Sequence, residues 1–404
     1  KAVFKRTDLA FATNVVHTMV NAQSSLPILA NILIKAGDGK ACFMASDLES
    51  SVRCEIAAEV AQDGAITVPA GPFHEIVRVL PDGDVTIALE KKIVREGDRT
   101  REVEHVRIGC PSANYDLAFM PAEDFPAWPE IKAKATLELS QKMLRQVVEQ
   151  FIFAIPQKDP RRVLLGGYFD VHDRVLKCVA TDGKKLAYVR READKHSGQE
   201  KASAIVPHKI LSEVLKAVGD EGTARILFAE RQAGFELGQI KYVTNVIDGV
   251  YPNYDLVIPK TFERTMALPR EQLRSLIRQA AIMSDERSNS VIFHFENGEL
   301  RLTAMTYDIG SYEGALAIEY DLPPFDIVFN HRFMAEILDV MESGVVLLKA
   351  NKSTAPAVLC GKDFADTLYV LMPIKLADLT EPESEETQSS EEEEEPEEEE
   401  EEEE

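Results

Sequence analysis

Three stretches of this chain open alike and continue alike, at a period of roughly 125 residues. Apolar residues at helical spacing begin at Arg6 (RTDLAFATNVVHTMV), Leu139 (LSQKMLRQVVEQFIFAI) and Leu268 (LPREQLRSLIRQAAIM). In the second stretch Leu144, Val147, Val148, Phe151 and Ile152 share a helical face, and in the third Leu273, Leu276, Ile277 and Ala280 do. Thr7 and Ser140 are suited to cap a helix start, and Pro269 suits a first helical position. A strand-rich segment follows each helix, with Gly-Asp-Gly, His-Asp and Asn-Gly marking the hairpin turns. A second helical segment then appears at 69–80, 207–218 and 330–341, and more strands follow it (VTIAL, ARILFAE, GVVLLKA). Each unit therefore reads strand, helix, strands, helix, strands, like two half-units of one design.

The first two units end on one repeated mark. DFPAW occupies 124–128 and VYPNY occupies 250–254, with their prolines 126 residues apart. Proline stiffens the crossing into the next unit. The third unit runs out at LYVLMPIKL, where no unit follows. The expected domains are 1–130, 131–261 and 262–380, with a tail at 381–404. The tetrapeptide NYDL at 114–117 and 253–256 is a decoy, because the two copies hold different places relative to the mark.

No run approaches 18 apolar residues, so no membrane span is expected, and the N-terminal stretch lacks the layout of a signal peptide. The default compartment is the cytosol. Cys42, Cys54, Cys110, Cys178 and Cys360 are scattered, with no C-x-x-C pair, and read as buried reduced thiols. No phosphate-binding loop, dinucleotide fingerprint, nucleophile elbow or zinc-protease motif occurs. His74, His208 and His331 recur near the start of each second helix, which is repetition and not ligand spacing. No cofactor or metal is expected, and three copies of one scaffold favour a binding or structural role over catalysis.

The net charge is −24, yet 17 glutamates lie in residues 381–404 with no basic residue among them. Without that tail the body carries −7. Such a tail cannot bury a core and repels itself, so its composition is that of a disordered segment. It reads as a solubilising extension, a DNA mimic or a leash over a basic patch. The helical segments differ from the body. Arg78, Lys142, Arg145, Lys209, Lys216, Arg270, Arg274, Arg278 and Arg332 stand against seven carboxylates. These segments sum to +2, leaving −9 on strands and loops. Arg270, Arg274 and Arg278 form an i, i+4, i+8 stripe opposite the apolar face. That pattern is either a solvated helix face or one weakly cationic surface built from all six helices. The second reading suits loose, sequence-independent contact with phosphates.

Several ordered segments resemble the bacterial DNA polymerase III β subunit, or sliding clamp, family. They are LPILANILI (26–34), VATDGKKLAYVRR (179–191), DGVYPNYDLVIPK (248–260), FNHRFMAEILDVM (329–341) and YVLMPIKL (369–376), and the resemblance spans about residues 1–376. It implies an α+β fold of three tandem clamp domains, each with two inner helices backed by antiparallel sheets. Two such chains would close head to tail around duplex DNA. The resemblance also implies a pocket for partner peptides between the second and third domains. Its residues here would be Leu165, Thr181, Gly183, Lys184, Lys185, Leu186, Pro252, Val257, Asn330, Phe333, Val370, Met372, Pro373, Ile374 and Leu376. Lys158, Arg161 and Arg162 would approach DNA beside the helix cations, while Tyr115 and Leu117 would meet Ile282 and Met283 of a second copy. Implied partners are duplex DNA, the replicative polymerase, a clamp loader, repair polymerases and mismatch-repair proteins. Two departures bear on peptide preference. Relatives often carry His-Arg where this chain has Lys184-Lys185, and Arg where it has Leu256. The competing readings are a non-encircling peptide scaffold of the same fold and an unrecognised enzyme.

Overall fold

A computed structural model describes residues 1–21, 24–96, 99–361 and 366–375. Among them are six α-helices: α1 (Arg6–His17), α2 (Ala70–Val79), α3 (Gln141–Ile152), α4 (His208–Ala217), α5 (Arg270–Ala281) and α6 (His331–Val340). Each follows a strand with no intervening residue. Three of these junctions are prolines, Pro69, Pro207 and Pro269, with φ of −56°, −56° and −63° and extended ψ. Pro269 is thus the cap that ends a strand, one residue earlier than its expected first helical position. Ser140 caps α3, its hydroxyl accepting from the Met143 N–H at 3.1 Å. Thr7 does not cap α1, because the strand Ala2–Lys5 runs on to Lys5 and the helix turns from there.

All three units share one order: a strand, a helix, four principal strands, a helix, three strands. In each, the opening strand pairs antiparallel with the first strand after the second helix. Ala2–Lys5 joins Asp84–Glu96, Ala135–Ser140 joins Thr223–Phe228, and Arg264–Pro269 joins Val345–Ala350. Every unit therefore holds two sheets, one of its middle strands and one of its first and last strands.

The sheets do not stop at the unit borders. Ile240–Asn245, last in the second unit, pairs with Ser50–Ala57 of the first and makes a nine-stranded sheet. Thr367–Leu371, last in the third, pairs with Lys185–Glu192 of the second and makes an eight-stranded sheet. A five-stranded sheet at the first unit's end and a four-stranded sheet at the third's are left unjoined. The first has edges Glu59–Val60 and Ala113–Leu117, the second Gly310–Ala317 and Phe325–Asn330.

The helices pack in pairs, α1 with α2, α3 with α4, α5 with α6, and lay apolar faces on the sheets. Leu9, Ala12 and Val16 do so from α1, Leu144, Val147, Val148 and Phe151 from α3, and Leu273, Ile277 and Ala280 from α5. Ile152 and Leu276 are only partly buried. Gln146 of α3 donates to Glu342, just past α6, at 3.1 Å. Lys209 of α4 pairs with Asp47 of the first unit. Side chains of α3 and α4 thus reach across the borders to loops of the neighbouring units.

Candidate functional site

A groove of about 140 Å³ opens where Lys185–Glu192 meets Thr367–Leu371. Leu186 and Val370, partners in that ladder, form its floor with Leu164, and all three are buried. Pro252, Tyr254 and Val257 of the second border segment form one wall, and the exposed Met372 stands at the mouth. Tyr251 stacks on Tyr168 with ring centres 5.0 Å apart, and Tyr254 packs against Tyr188 at 6.0 Å. Burial pushes the phenols of Tyr251 and Tyr254 well above the ordinary range, so this wall stays neutral.

The polar side is one locked turn. The Asp182 carboxylate accepts the backbone N–H groups of Lys184 and Lys185, both at 2.8 Å. The Thr181 hydroxyl donates to the Lys185 carbonyl at 2.7 Å and accepts the Gly183 N–H at 3.0 Å. Gly183 sits at φ +86°, which a residue with Cβ adopts only under strain. Arg161 donates twice to Asp159, both at 2.9 Å, and to the Asp182 carbonyl at 3.2 Å. These bonds hold the Asp159 carboxyl down at about 2. Beyond the turn, the Met372 N–H donates to the Lys184 carbonyl at 2.9 Å, so the last strand closes the groove.

Nine expected pocket residues line this groove: Thr181, Gly183, Lys184, Lys185, Leu186, Pro252, Val257, Val370 and Met372. Lys185 departs from expectation in its tip. Its ammonium pairs with Glu336 of α6 and lies over the Phe333 and Phe153 rings at 4.6 and 5.5 Å. It latches two units together and does not face the groove. Phe333 belongs to that latch, and Asn330 caps α6, its side-chain oxygen accepting from Arg332 and Phe333 N–H. Leu165 ends the short helix Arg162–Leu165, whose turn sends Leu164 to the floor instead. Pro373 and Ile374 lie past the lining, with the Ile374 N–H bound to the Val328 carbonyl at 2.9 Å. Leu376 lies outside the described residues. Leu164, Tyr254 and Arg161 were missed as pocket residues. The aromatic-proline mark could have pointed to Tyr254; no signal in LL separates Leu164 from Leu165.

The cationic helices are less free than their sequence suggests. Arg78 pairs with Glu75, Lys216 with Glu213, Lys209 with Asp47 and Arg274 with Asp339. Arg145 donates to the Val218 carbonyl, and Arg270 to the Met341 carbonyl and Glu271. Lys142, Arg278 and Arg332 are exposed and have no ion pair among the described residues. α1 begins at Arg6, whose guanidinium donates to the Arg78 carbonyl at 3.1 Å and raises the helix sum to +3. Lys158 and Arg162 are exposed, whereas Arg161 turns to the groove.

At the two free sheet edges, Tyr115 and Leu117 are half-buried on Ala113–Leu117. At the other end Ile282 is 73% exposed and Met283 half-buried, its carbonyl accepting from Thr306. The neighbouring turn adds Met305, Tyr307 and Ile309, with Tyr307 95% exposed. The sequence reading missed these three, although apolar residues crowding a turn in AMTYDIG were a usable signal.

All five cysteines are free, and the described residues hold no cluster of His, Cys, Asp and Glu fit for a metal.

Comparison with known proteins places this geometry. Models of the DNA polymerase III beta subunit match end to end: the N-terminal domain over residues 1–129, the central over 138–253 and the C-terminal over 255–375. A beta sliding clamp of Chlamydia pneumoniae is 30% identical over 380 residues, covering 94% of this chain and all of that one. One from Vibrio cholerae is 29% identical over 378 residues, 93% of this chain and all of that one. The crystal structure of a Pseudomonas aeruginosa sliding clamp bound to griselimycin superposes with a TM-score of 0.86 at 26% identity, covering 93% of this chain and 99% of that one.

Proposed function

Because the chain belongs to the DNA polymerase III beta subunit family, we propose a working arrangement for it built on its free sheet edges. The chain is a DNA sliding clamp, whose ring-shaped homodimer surrounds duplex DNA and tethers a polymerase to it. The family acts as a processivity factor; threading, not base recognition, keeps it on DNA.

The observation that carries the arrangement is a pairing rule used twice. The last strand of unit two pairs with the third middle strand of unit one, and the last strand of unit three with the third middle strand of unit two. The same rule leaves two unmatched edges, the last strand of unit one (Ala113–Leu117) and the third middle strand of unit three (Gly310–Ala317). A second copy supplies the missing partner for both, head to tail, and burial of Tyr115, Leu117, Ile282 and Met283 with Met305, Tyr307 and Ile309 would drive closure. Domain borders fall near 130 and 261 on this reading.

The helices would face the duplex, with Lys142, Arg278 and Arg332 as its free cations and Lys158 and Arg162 on a nearby loop. The paired cations contribute weakly, which suits a ring that must slide. The groove would take short linear peptides with Leu or Phe side chains, from the replicative polymerase, the clamp loader, repair polymerases and mismatch-repair proteins. The flexible Met372 lets one site accept varied sequences. A ring-opening ATPase would load it. As a replication protein it would work at the bacterial nucleoid; no helix among the described residues is long and apolar enough to cross a membrane.

The test is retention on circular against linearised plasmid after loading. Loss on linearisation is expected of a threaded ring; equal retention, or none on the circle, would favour a non-encircling scaffold. Ile282→Asp in the same assay yields monomers that are not retained, and a persistent dimer would show that the interface lies elsewhere.

A further inference from the structure

The ladder that floors the groove has a second face. Side chains alternate across a strand, so Leu186 and Val370 point to the groove while the next pair, Ala187 and Tyr369, points the other way. There the Tyr369 ring meets Phe153, just past α3, with ring centres 5.8 Å apart. A cavity of about 450 Å³ opens beside it. Gln150 of α3, Arg191 and Thr367 of the two strands, and Met341 and Glu342 just past α6 line it with Tyr369. Its size is that of a small-molecule site.

Two polar groups there lack what burial requires. Tyr369 is 1% exposed, and its phenolic oxygen has no hydrogen-bond partner. A buried hydroxyl left unbonded is costly, and a ligand can complete it. Burial pushes the phenol above its ordinary range, which keeps it a neutral donor. Arg191 lacks a counter-charge. Its Nη1 donates to the Arg190 and Asp366 carbonyls at 2.7 and 3.0 Å and to the Thr367 hydroxyl at 3.0 Å, and its Nη2 to the Gln150 side-chain oxygen at 2.7 Å. All four acceptors are uncharged, and Arg191 forms no ion pair among the described residues. The carboxylates nearby are engaged elsewhere, Asp366 with Arg190 at 3.4 Å and Glu342 with Gln146 at 3.1 Å.

These two needs define a ligand. A carboxylate supplies both an acceptor for the Tyr369 O–H and a negative charge for Arg191. Glu342 is exposed at the rim, so a dianion such as phosphate is repelled while a single charge is balanced by the guanidinium. Met341, 5% exposed, and the Tyr369 ring offer an apolar wall to the rest of the molecule. We infer that this cavity binds a small monocarboxylate with an apolar body, one oxygen accepting from the Tyr369 O–H and the other set against Arg191. Bound there, it joins the last strand to the ends of α3 and α6 from the face opposite the groove. The site stands apart from the groove and its peptides.

The probe is para-fluorobenzoate, followed by fluorine NMR on the full chain. Saturable binding is expected, with para-fluorobenzamide and inorganic phosphate at least about tenfold weaker. Tyr369→Phe should weaken the benzoate at least about fivefold, since it removes one hydrogen bond to a charged group. Without ligand, the same variant should unfold in urea at an equal or higher concentration, because the lost hydroxyl had no partner. Met372→Ala at the groove mouth should leave the benzoate titration unchanged. No saturable binding, undiminished binding by Tyr369→Phe, equal binding of the benzamide or of phosphate, or loss with Met372→Ala overturns the inference. So does a lower urea midpoint for ligand-free Tyr369→Phe, which would show the hydroxyl to be bonded within the protein.

Discussion

The two unit borders are built from one device and end differently. At each, an aromatic-proline mark lies on the outer face of a sheet that crosses the border. At the first border Phe125 is buried with Ile28, Leu29, Leu33 and Met44, and Trp128 covers the Arg53 guanidinium at 4.6 Å. At the second, Tyr251 and Tyr254 are buried with Leu164, Leu186 and Val370, but an apolar groove stays open. The difference lies in the ladder that joins the units. Its outward pairs are Lys241 with Arg53 and Val243 with Ser51 at the first border. At the second they are Leu186 with Val370 and Tyr188 with Leu368. A charged outward pair covered by tryptophan leaves a mixed crevice of about 350 Å³, where Arg53, Glu130, Glu236 and Lys241 stand beside Trp128, Ile131 and Leu227. An apolar pair left unroofed makes the groove proposed to take peptides. The lesson is that duplication supplied the scaffold twice, and a few strand positions made the two borders chemically different.

The largest expected effect tests the open border. Deleting 373–376 removes the segment that holds the last strand to Val328 and should cut affinity for a Leu/Phe-bearing peptide by at least about a hundredfold. The dimer should persist by light scattering, because both free edges are far along the chain from the deletion. Undiminished peptide binding would break the contrast by showing that the groove is not where peptides go.

The closed border should respond in the opposite currency. Phe125→Ala is expected to cost about 3 kcal/mol, read as a lower first unfolding transition in urea, because a buried ring leaves a cavity. Peptide affinity at the second border should stay within about twofold, as sites this far apart behave independently. A stable variant with weakened peptide binding would mean that the two borders are coupled.

Much of this contrast could be read from residues, and the rest could not for identifiable reasons. Helical periodicity found all six helices, since each buries one continuous stripe. The two copies of NYDL differ in structure, strand in Ala113–Leu117 but a short 3-10 turn at Tyr254–Leu256. The sequence could not show that Lys185 turns its charge to Glu336, nor that six helix cations are already engaged. Lys185 and Lys209 find partners 151 and 162 residues away, which no local pattern encodes, whereas the Arg78–Glu75 and Lys216–Glu213 pairs at three-residue spacing were open to the sequence. Leu165 and Leu164 were exchanged by one step of a single short turn, and Thr7 is no cap because the helix starts at Arg6, straight from the strand, and places Thr7 inside its first turn.

Ion pairs also cross both borders, and one from each gives the smallest effect and the sharpest comparison. Lys185 and Glu336 have side chains 7% and 43% exposed, Lys209 and Asp47 49% and 11%. In the first pair the ammonium is the buried member, wedged between Phe333 and Phe153, so losing Glu336 leaves a buried cation with only the Asp182 carboxylate at 3.9 Å. In the second the lysine stays in solvent and can simply turn away. A double-mutant cycle with Lys185→Met and Glu336→Gln should therefore give a coupling of about 1–2 kcal/mol that survives 0.5 M NaCl. The cycle with Lys209→Met and Asp47→Asn should give no more than about 0.5 kcal/mol and vanish in that salt. Equal couplings would mean that the two borders are held alike, and that only the outward strand residues set them apart.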